Sequence, residues 1–136
     1  MAPARTAVIL VDTSVWIELL NRRSGPRITE TELLEFATCG PVVQEVFEGL
    51  RDHPWAEAFR KAFLALPILS NPLPAETFLA AADVYREGRR KGYTIRSSID
   101  CLIAAIAIDH KIPVWHKDRD FEAIAQFTTL QSIRYP

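Results

Sequence analysis

Hydrophobic positions along this chain fall into two patterns that take turns. The first is the short unbroken apolar run. "VILV" at residues 8–11 is aliphatic and mostly β-branched, which suits a central parallel strand buried on both faces. "ATC" (37–39), "PILS" (67–70), "IPVWH" (112–116) and "LQSI" (130–133) are shorter candidates of the same kind. The second pattern is apolar recurrence at helical spacing. Val15, Trp16, Leu19 and Leu20 form one apolar side of a helix that Ser14 is placed to cap. Helices are also predicted over 28–37, 42–50, 54–66 with Pro54 near its start, 73–92 with Gly92 as its C-cap, 97–111 capped by Ser97 or Ser98, and 118–127. "NRRSGP" at 21–26 reads as a loop. Strands alternating with helices predict an α/β fold with right-handed β-α-β crossovers and a small parallel sheet. The 136 residues fit a single domain, 1–136, with no internal repeat, low-complexity tract or linker.

Composition narrows the picture only a little. An apolar fraction of 49% supports a real core and argues against disorder, and 24% charged residues suit a water-exposed surface. The net charge of -1 means that any polyanion site must be a local patch. Cys39 and Cys101 stand far apart in apolar company, as buried free thiols of a reducing compartment do. No apolar run is long enough to span a membrane, and the first residues lack a signal peptide's cleavage region, so a cytoplasmic protein is expected.

The carboxylates change the picture most. Asp12 ends the first strand, at the edge where open parallel sheets gather ligands, although an N-cap role would explain it equally. Asp100 is the only charged residue in "IDCLIAAIAI", 99–108. At about 100° per residue its angular neighbours are Ile103, Ala104 and Ala107, so it lies on a helix apolar nearly all round, and therefore buried. A buried carboxylate needs a cation, a donor network or a metal. Glu45 borders the apolar arc of Val42, Val43, Val46, Phe47 and Leu50, where a merely solvated glutamate would also sit. Asp118 and Asp120 follow "IPVWH", and only one of them need cap the next helix. Two strand ends and two helix starts can thus point carboxylates into one crevice. A hard divalent cation relieves their repulsion, and all-oxygen ligands favour Mg²⁺ or Mn²⁺. Zinc is disfavoured, because His53, His110 and His116 show no ligand spacing with each other or with the cysteines.

"VILVDTSVWIELL", "GPVVQEVFEGL", "RSSIDCLIAAIAI" and "HKDRDFEAIA" together, in this order, resemble the PIN-domain family, and within it the VapC-type toxins of toxin–antitoxin pairs. The resemblance covers almost the whole chain. It implies a PIN-like (Rossmann-like) three-layer fold and a Mg²⁺- or Mn²⁺-dependent endoribonuclease leaving 5′-phosphate and 3′-hydroxyl ends. Carried over residue by residue, it makes Asp12, Glu45, Asp100 and Asp118 the catalytic and metal-holding acids. Thr13 and Ser14 match the hydroxyls after the first aspartate, with Ser14 orienting a carboxylate or a water on the metal. His116 stands where relatives often carry Thr or Ser, and Asp120 is expected to support Asp118 from outside the metal's own ligands. The resemblance also implies a homodimer and silencing by a VapB-type antitoxin.

An acidic pocket repels RNA, so basic flanks should hold the backbone. Arg86, Arg89, Arg90, Lys91 and Arg96 form the best flank, just before Asp100, and Tyr93 is placed to stack a base. A solvated helix end would look the same. Arg22, Arg23 and Lys117 are further candidates. Trp16, Leu20, Trp55, Phe59 and Phe63 are either core or a partner groove. Two rival functions remain: a receiver-like phosphoacceptor signalling domain and a catalytically inactive PIN-like interaction protein. Receivers pair acids after the first strand, whereas Asp12 is single; a dehalogenase-type phosphatase would need an acid at position 14, which is Ser14.

Overall fold

The computed structural model describes residues 8–21 and 28–136. Among these the chain runs β1 (Ile9–Val11), α1 (Thr13–Leu20), α2 (Glu30–Leu33), β2 (Phe36–Cys39), α3 (Gly40–Gly49), α4 (Ala56–Leu64), β3 (Ile68–Leu69), α5 (Ala75–Arg90), α6 (Ser98–His110), β4 (Val114–His116), α7 (Arg119–Phe127) and β5 (Ser132–Arg134). The strands form one sheet in the order β3-β2-β1-β4-β5. Every pairing is parallel, as the alternation of strand and helix predicts.

β1 lies at the centre, and Leu10 and Val11 are fully buried. Its neighbours are β2, where Ile9 meets Phe36, and β4, where Val11 meets Trp115. β1 and β4 are adjacent although most of the chain separates them. This is the switch point of the sheet, where a parallel α/β fold leaves a crevice beyond its carboxyl ends. α6 is buried at every position from Asp100 to Ala107, consistent with its all-round apolar sequence. Gly88 lets α5 approach α7: a Cβ there would stand 2.9 Å from Phe127 Cζ. Gly92, at φ +84°, follows the Lys91 cap of α5, where a left-handed residue ends a helix without strain.

Two expectations change, and one open alternative is decided. The helix expected over 28–37 shrinks to α2, and Phe36 and Ala37 join β2. α2 buries no residue fully and rests on its Thr29–Glu32 capping box and the partly buried Leu33, whereas all of β2 is buried and paired. Ser14 does not cap α1. Asp12 does, in extended geometry, with its carboxylate accepting the Ser14 N–H. Trp16, Phe59 and Phe63 belong to the core and not to a partner groove. Trp16 meets Phe36, Phe59 and Phe63 edge-on at centroid distances of 5.9, 5.8 and 5.0 Å. Only Leu20 and Trp55 reach a surface groove, which they line with Ile17, Val46, Leu50 and Glu45. The loop over 21–26 lies outside the described residues from position 22 onward. Cys39 and Cys101 are buried and free, as expected, and burial pushes their thiols up to about 12 and about 11.

The aromatic cluster gives a stability test. Trp16→Ala is expected to cost about 3–5 kcal/mol in urea unfolding. Trp16→Phe should cost far less, because the buried indole N–H has no hydrogen-bond partner among the described residues to lose. Equal losses in the two variants would contradict this packing.

Candidate functional site

Asp12 leaves the end of β1 with 4% of its surface exposed. Its Oδ2 accepts the backbone N–H of Ser14 at 3.0 Å and the Ser14 hydroxyl. The same hydroxyl accepts the Lys117 N–H at 2.9 Å, so Ser14 joins the exits of β1 and β4. Burial raises the Asp12 carboxyl above its usual range, the Ser14 donors offset part of this, and the charge of Asp118 adds to it. Thr13 donates to Glu45 Oε1 at 2.9 Å. That bond links exposed Glu45, on α3, to the first turn of α1.

Asp100 sits in the first turn of α6, which Ser97 caps, so Ser98 does not. It is 8% exposed, and its buried Oδ2 has no hydrogen-bond partner among the described residues. Burial pushes its carboxyl up to about 9, aided by the charges of Asp12 and Asp118 and by the adjoining Asp120 carboxyl. Asp118 caps α7 and commits one oxygen, Oδ1, to the Asp120 N–H at 2.9 Å. Asp120 is 2% exposed and commits both oxygens: the Arg96 N–H reaches them at 3.2 and 3.1 Å, and the Ser97 N–H reaches Oδ2 at 3.0 Å. One carboxylate oxygen from each of Asp100, Asp118 and Asp120 lies within 4.8 Å of the others. Asp120 is therefore inside the acidic cluster. Its oxygens already serve the entry to α6, whereas Asp118 Oδ2 makes no hydrogen bond among the described residues.

His116 is fully buried at the end of β4. Its Nδ1 lies 3.2 Å from the Asp118 N–H, which it accepts, and its Nε2 lies 3.1 Å from Ser132 Oγ. An acceptor at Nδ1 places the ring proton on Nε2. Burial lowers the basicity of the ring, against the opposing charges of Glu122, Asp12 and Asp118.

Arg86, Arg89, Arg90, Lys91 and Arg96 are all exposed, along the end of α5 and before α6. Arg90 and Lys91 lie 3.4 and 3.5 Å from Glu87, in exposed pairs that bind their charge weakly. Arg89 stands 5.9 Å from the centroid of Tyr85. Tyr93 departs from expectation: its ring is half-buried and stacked on Phe127 at 5.3 Å, which covers one of the faces a base would use. Lys117 pairs with Glu18 at 2.6 Å. Arg22 and Arg23 lie outside the described residues. The sequence gives no warning of Ser132, or of the clasp between Asp120 and the Arg96 and Ser97 amides; both depend on segments far apart in the chain.

The oxygen-only cluster and the orphaned Asp100 oxygen fit a hard divalent cation better than any other bound group. Among the described residues no helix is long and apolar enough to cross a membrane.

A family model described as the PIN domain matches residues 9–126. Over 135 residues the chain is 38% identical to VapC ribonuclease Mb1587 of Mycobacterium bovis and to ribonuclease VapC11 of Mycobacterium tuberculosis, covering 94% of this chain and 99% of each relative. Among solved structures it is similar to a chain of the toxin–antitoxin system VapBC-5 of Mycobacterium tuberculosis, with TM-score 0.65, 24% identity and coverage of 96% of this chain and 100% of that one. It is also similar to a chain of VapBC2 from Rickettsia felis bound to a promoter DNA fragment, with TM-score 0.64, 14% identity and coverage of 95% and 99%.

The raised Asp100 carboxyl sets a pH dependence. Between 3.8 and about 9 the folded chain holds a proton on Asp100 that the unfolded chain has released. Stability without metal therefore falls as pH rises through that window. Thermal melting in EDTA should show the melting temperature of the wild type dropping from pH 5 to pH 8. Asp100→Asn should lessen that drop and melt higher than wild type at pH 8. A lower melting temperature for Asp100→Asn at pH 8 would contradict the burial cost.

Proposed function

The chain belongs to the PIN-domain family, and from that premise we propose that it is the toxin of a toxin–antitoxin pair, a metal-dependent endoribonuclease that hydrolyses RNA phosphodiester bonds. The observation that carries this reading is the buried Asp100 oxygen, without a hydrogen-bond partner among the described residues, set beside Asp118 and Asp120 at the switch point of the sheet. The 38% identity to VapC ribonucleases over nearly the whole chain supports it.

Asp12, Asp100 and Asp118 would hold Mg²⁺ or Mn²⁺, with Glu45 completing the set or orienting water. A divalent cation supplies charge stabilisation on the phosphate and a lowered pKa for water. The chain's own groups do the rest. Ser14 fixes the carboxylate of Asp12 through two donors, and Thr13 holds Glu45 toward the same edge. Asp120 fastens the start of α6, and with it Asp100, to α7. Asp100, whose carboxyl burial keeps protonated, would give up that proton in order to serve as a ligand. Arg86, Arg89, Arg90, Lys91 and Arg96 guide the RNA backbone, and their exposure supports that role.

A VapB-type antitoxin is the proposed partner, and a homodimer the proposed assembly. The solved neighbours are VapBC complexes, which supports the first. Glu45 lines the groove with Ile17, Leu20, Val46, Leu50 and Trp55, so a segment seated there would lie against one of the proposed acids. Two buried free thiols support the cytoplasm as working compartment. Membership of the PIN family replaces the receiver-like alternative, and the retained acids support an active enzyme over an inactive interaction protein.

Purified protein should cut at least one RNA in a panel of structured RNAs when Mg²⁺ or Mn²⁺ is present. EDTA should stop the cutting, and Asp12→Ala and Asp100→Ala should each lower it to background. Equal cutting by wild type and both variants, or none by any of them, would overturn the nuclease reading.

A further inference from the structure

We propose that His116 and Ser132 form a positioning pair that sets the place of the Asp118 carboxylate. The inference rests on the reading of Asp118 as a metal-holding acid. β4 ends at His116 and α7 begins at Arg119, so only Lys117 and Asp118 join them. Their amides leave the strand ladder within that turn, and each finds a side-chain acceptor. The Lys117 N–H goes to Ser14, and the Asp118 N–H goes to His116 Nδ1. The Asp118 backbone is thereby pinned while its side chain caps α7, which leaves one carboxylate oxygen facing the cluster.

An imidazole accepts at Nδ1 only if its proton is on Nε2, and that proton needs an acceptor in a fully buried site. Ser132 Oγ supplies it at 3.1 Å. The position of Ser132 follows from the sheet. Val114 pairs with Ser132 and His116 with Arg134, so His116 and Ser132 are diagonal neighbours on adjacent parallel strands. The Tyr135 N–H bonds the His116 carbonyl at 2.7 Å and holds the same corner from the backbone. Glu122 Oε1 lies 4.0 Å from Nε2, beyond hydrogen-bond reach, and also faces Arg134 at 3.6 Å, so it is the weaker acceptor. A hydroxyl side chain at position 116 could accept the Asp118 amide in a local turn. Only the imidazole adds a second arm that ties this turn to β5. Strand β5 thus belongs to the machinery of the site through Ser132.

The test separates the acceptor at Nδ1 from simple bulk. His116→Asn places an amide oxygen near the position of Nδ1; His116→Gln places its polar atoms near Nε2. Mn²⁺ affinity, read by water-proton relaxation, is expected to stay within about 3-fold of wild type in His116→Asn. It should weaken about 10- to 100-fold in His116→Gln and His116→Ala, as removal of an outer support of a metal ligand does. Ser132→Ala should fall between. Thermal melting identifies any variant that fails for lack of folding, and the Asn and Gln variants are compared with each other for that reason. In the metal-free wild type, long-range ¹H–¹⁵N spectra of the imidazole should show a neutral ring protonated at Nε2. The opposite tautomer, or equal Mn²⁺ affinity for Asn and Gln variants that are both folded, would overturn the proposal. If the wild type binds no Mn²⁺, the metal reading fails on its own. The tautomer, with the amide resonance of Asp118 in the Asn and Gln variants, then decides the positioning claim separately.

Discussion

The cost of burying the Asp100 carboxylate shapes the rest of this protein. A charged oxygen held away from water without a partner costs several kcal/mol unless it is neutralised. Asp100 meets that cost in its protonated form when alone, which is why its carboxyl is pushed up to about 9. An ordinary core would use an apolar residue here, as α6 does at nearly every following position up to Ile108. Placing a carboxylate there carries a free-energy cost that a cation, on the proposed function, would relieve. The same free energy lowers the stability of the empty protein.

The sheet order makes that stored cost useful. Because β1 and β4 are adjacent, Asp12 and Asp118 leave the sheet at neighbouring points, and α6 brings Asp100 to the same edge. Short polar connections hold the three acids in place: Ser14 spans the exits of β1 and β4, Asp120 clasps the entry to α6, and His116 pins the turn before α7. Each connection satisfies backbone N–H groups that a strand end or helix start would leave open. Support of the site and satisfaction of the backbone are therefore the same set of bonds.

Much of this was legible in the sequence, for local reasons. The unbroken apolar run before Asp12 marked the central strand, and the solitary charge in "IDCLIAAIAI" marked Asp100, because a buried charge contradicts its surroundings. Where local signals competed, the reading failed. "ITETELLEFA" looks helical, yet pairing and burial of Phe36 and Ala37 outweigh its propensity. Ser14 and Asp12 are both good caps, and only the extended backbone of Asp12 decides between them. Asp118 and Asp120 could not be ranked by spacing, since their difference lies in which oxygens the Arg96 and Ser97 amides already occupy. Ser132 gave no signal at all, because its role follows from the β4–β5 register.

Proton release on metal binding tests the central claim most directly. Calorimetric titration of Mn²⁺ into the protein at pH 7, in buffers of different ionisation enthalpy, reads the number of protons displaced per cation. About one proton is expected in the wild type, released from Asp100, and none in Asp100→Asn. Metal binding without proton release in the wild type, or the same release from Asp100→Asn, would show that the buried carboxylate is not the group the cation neutralises.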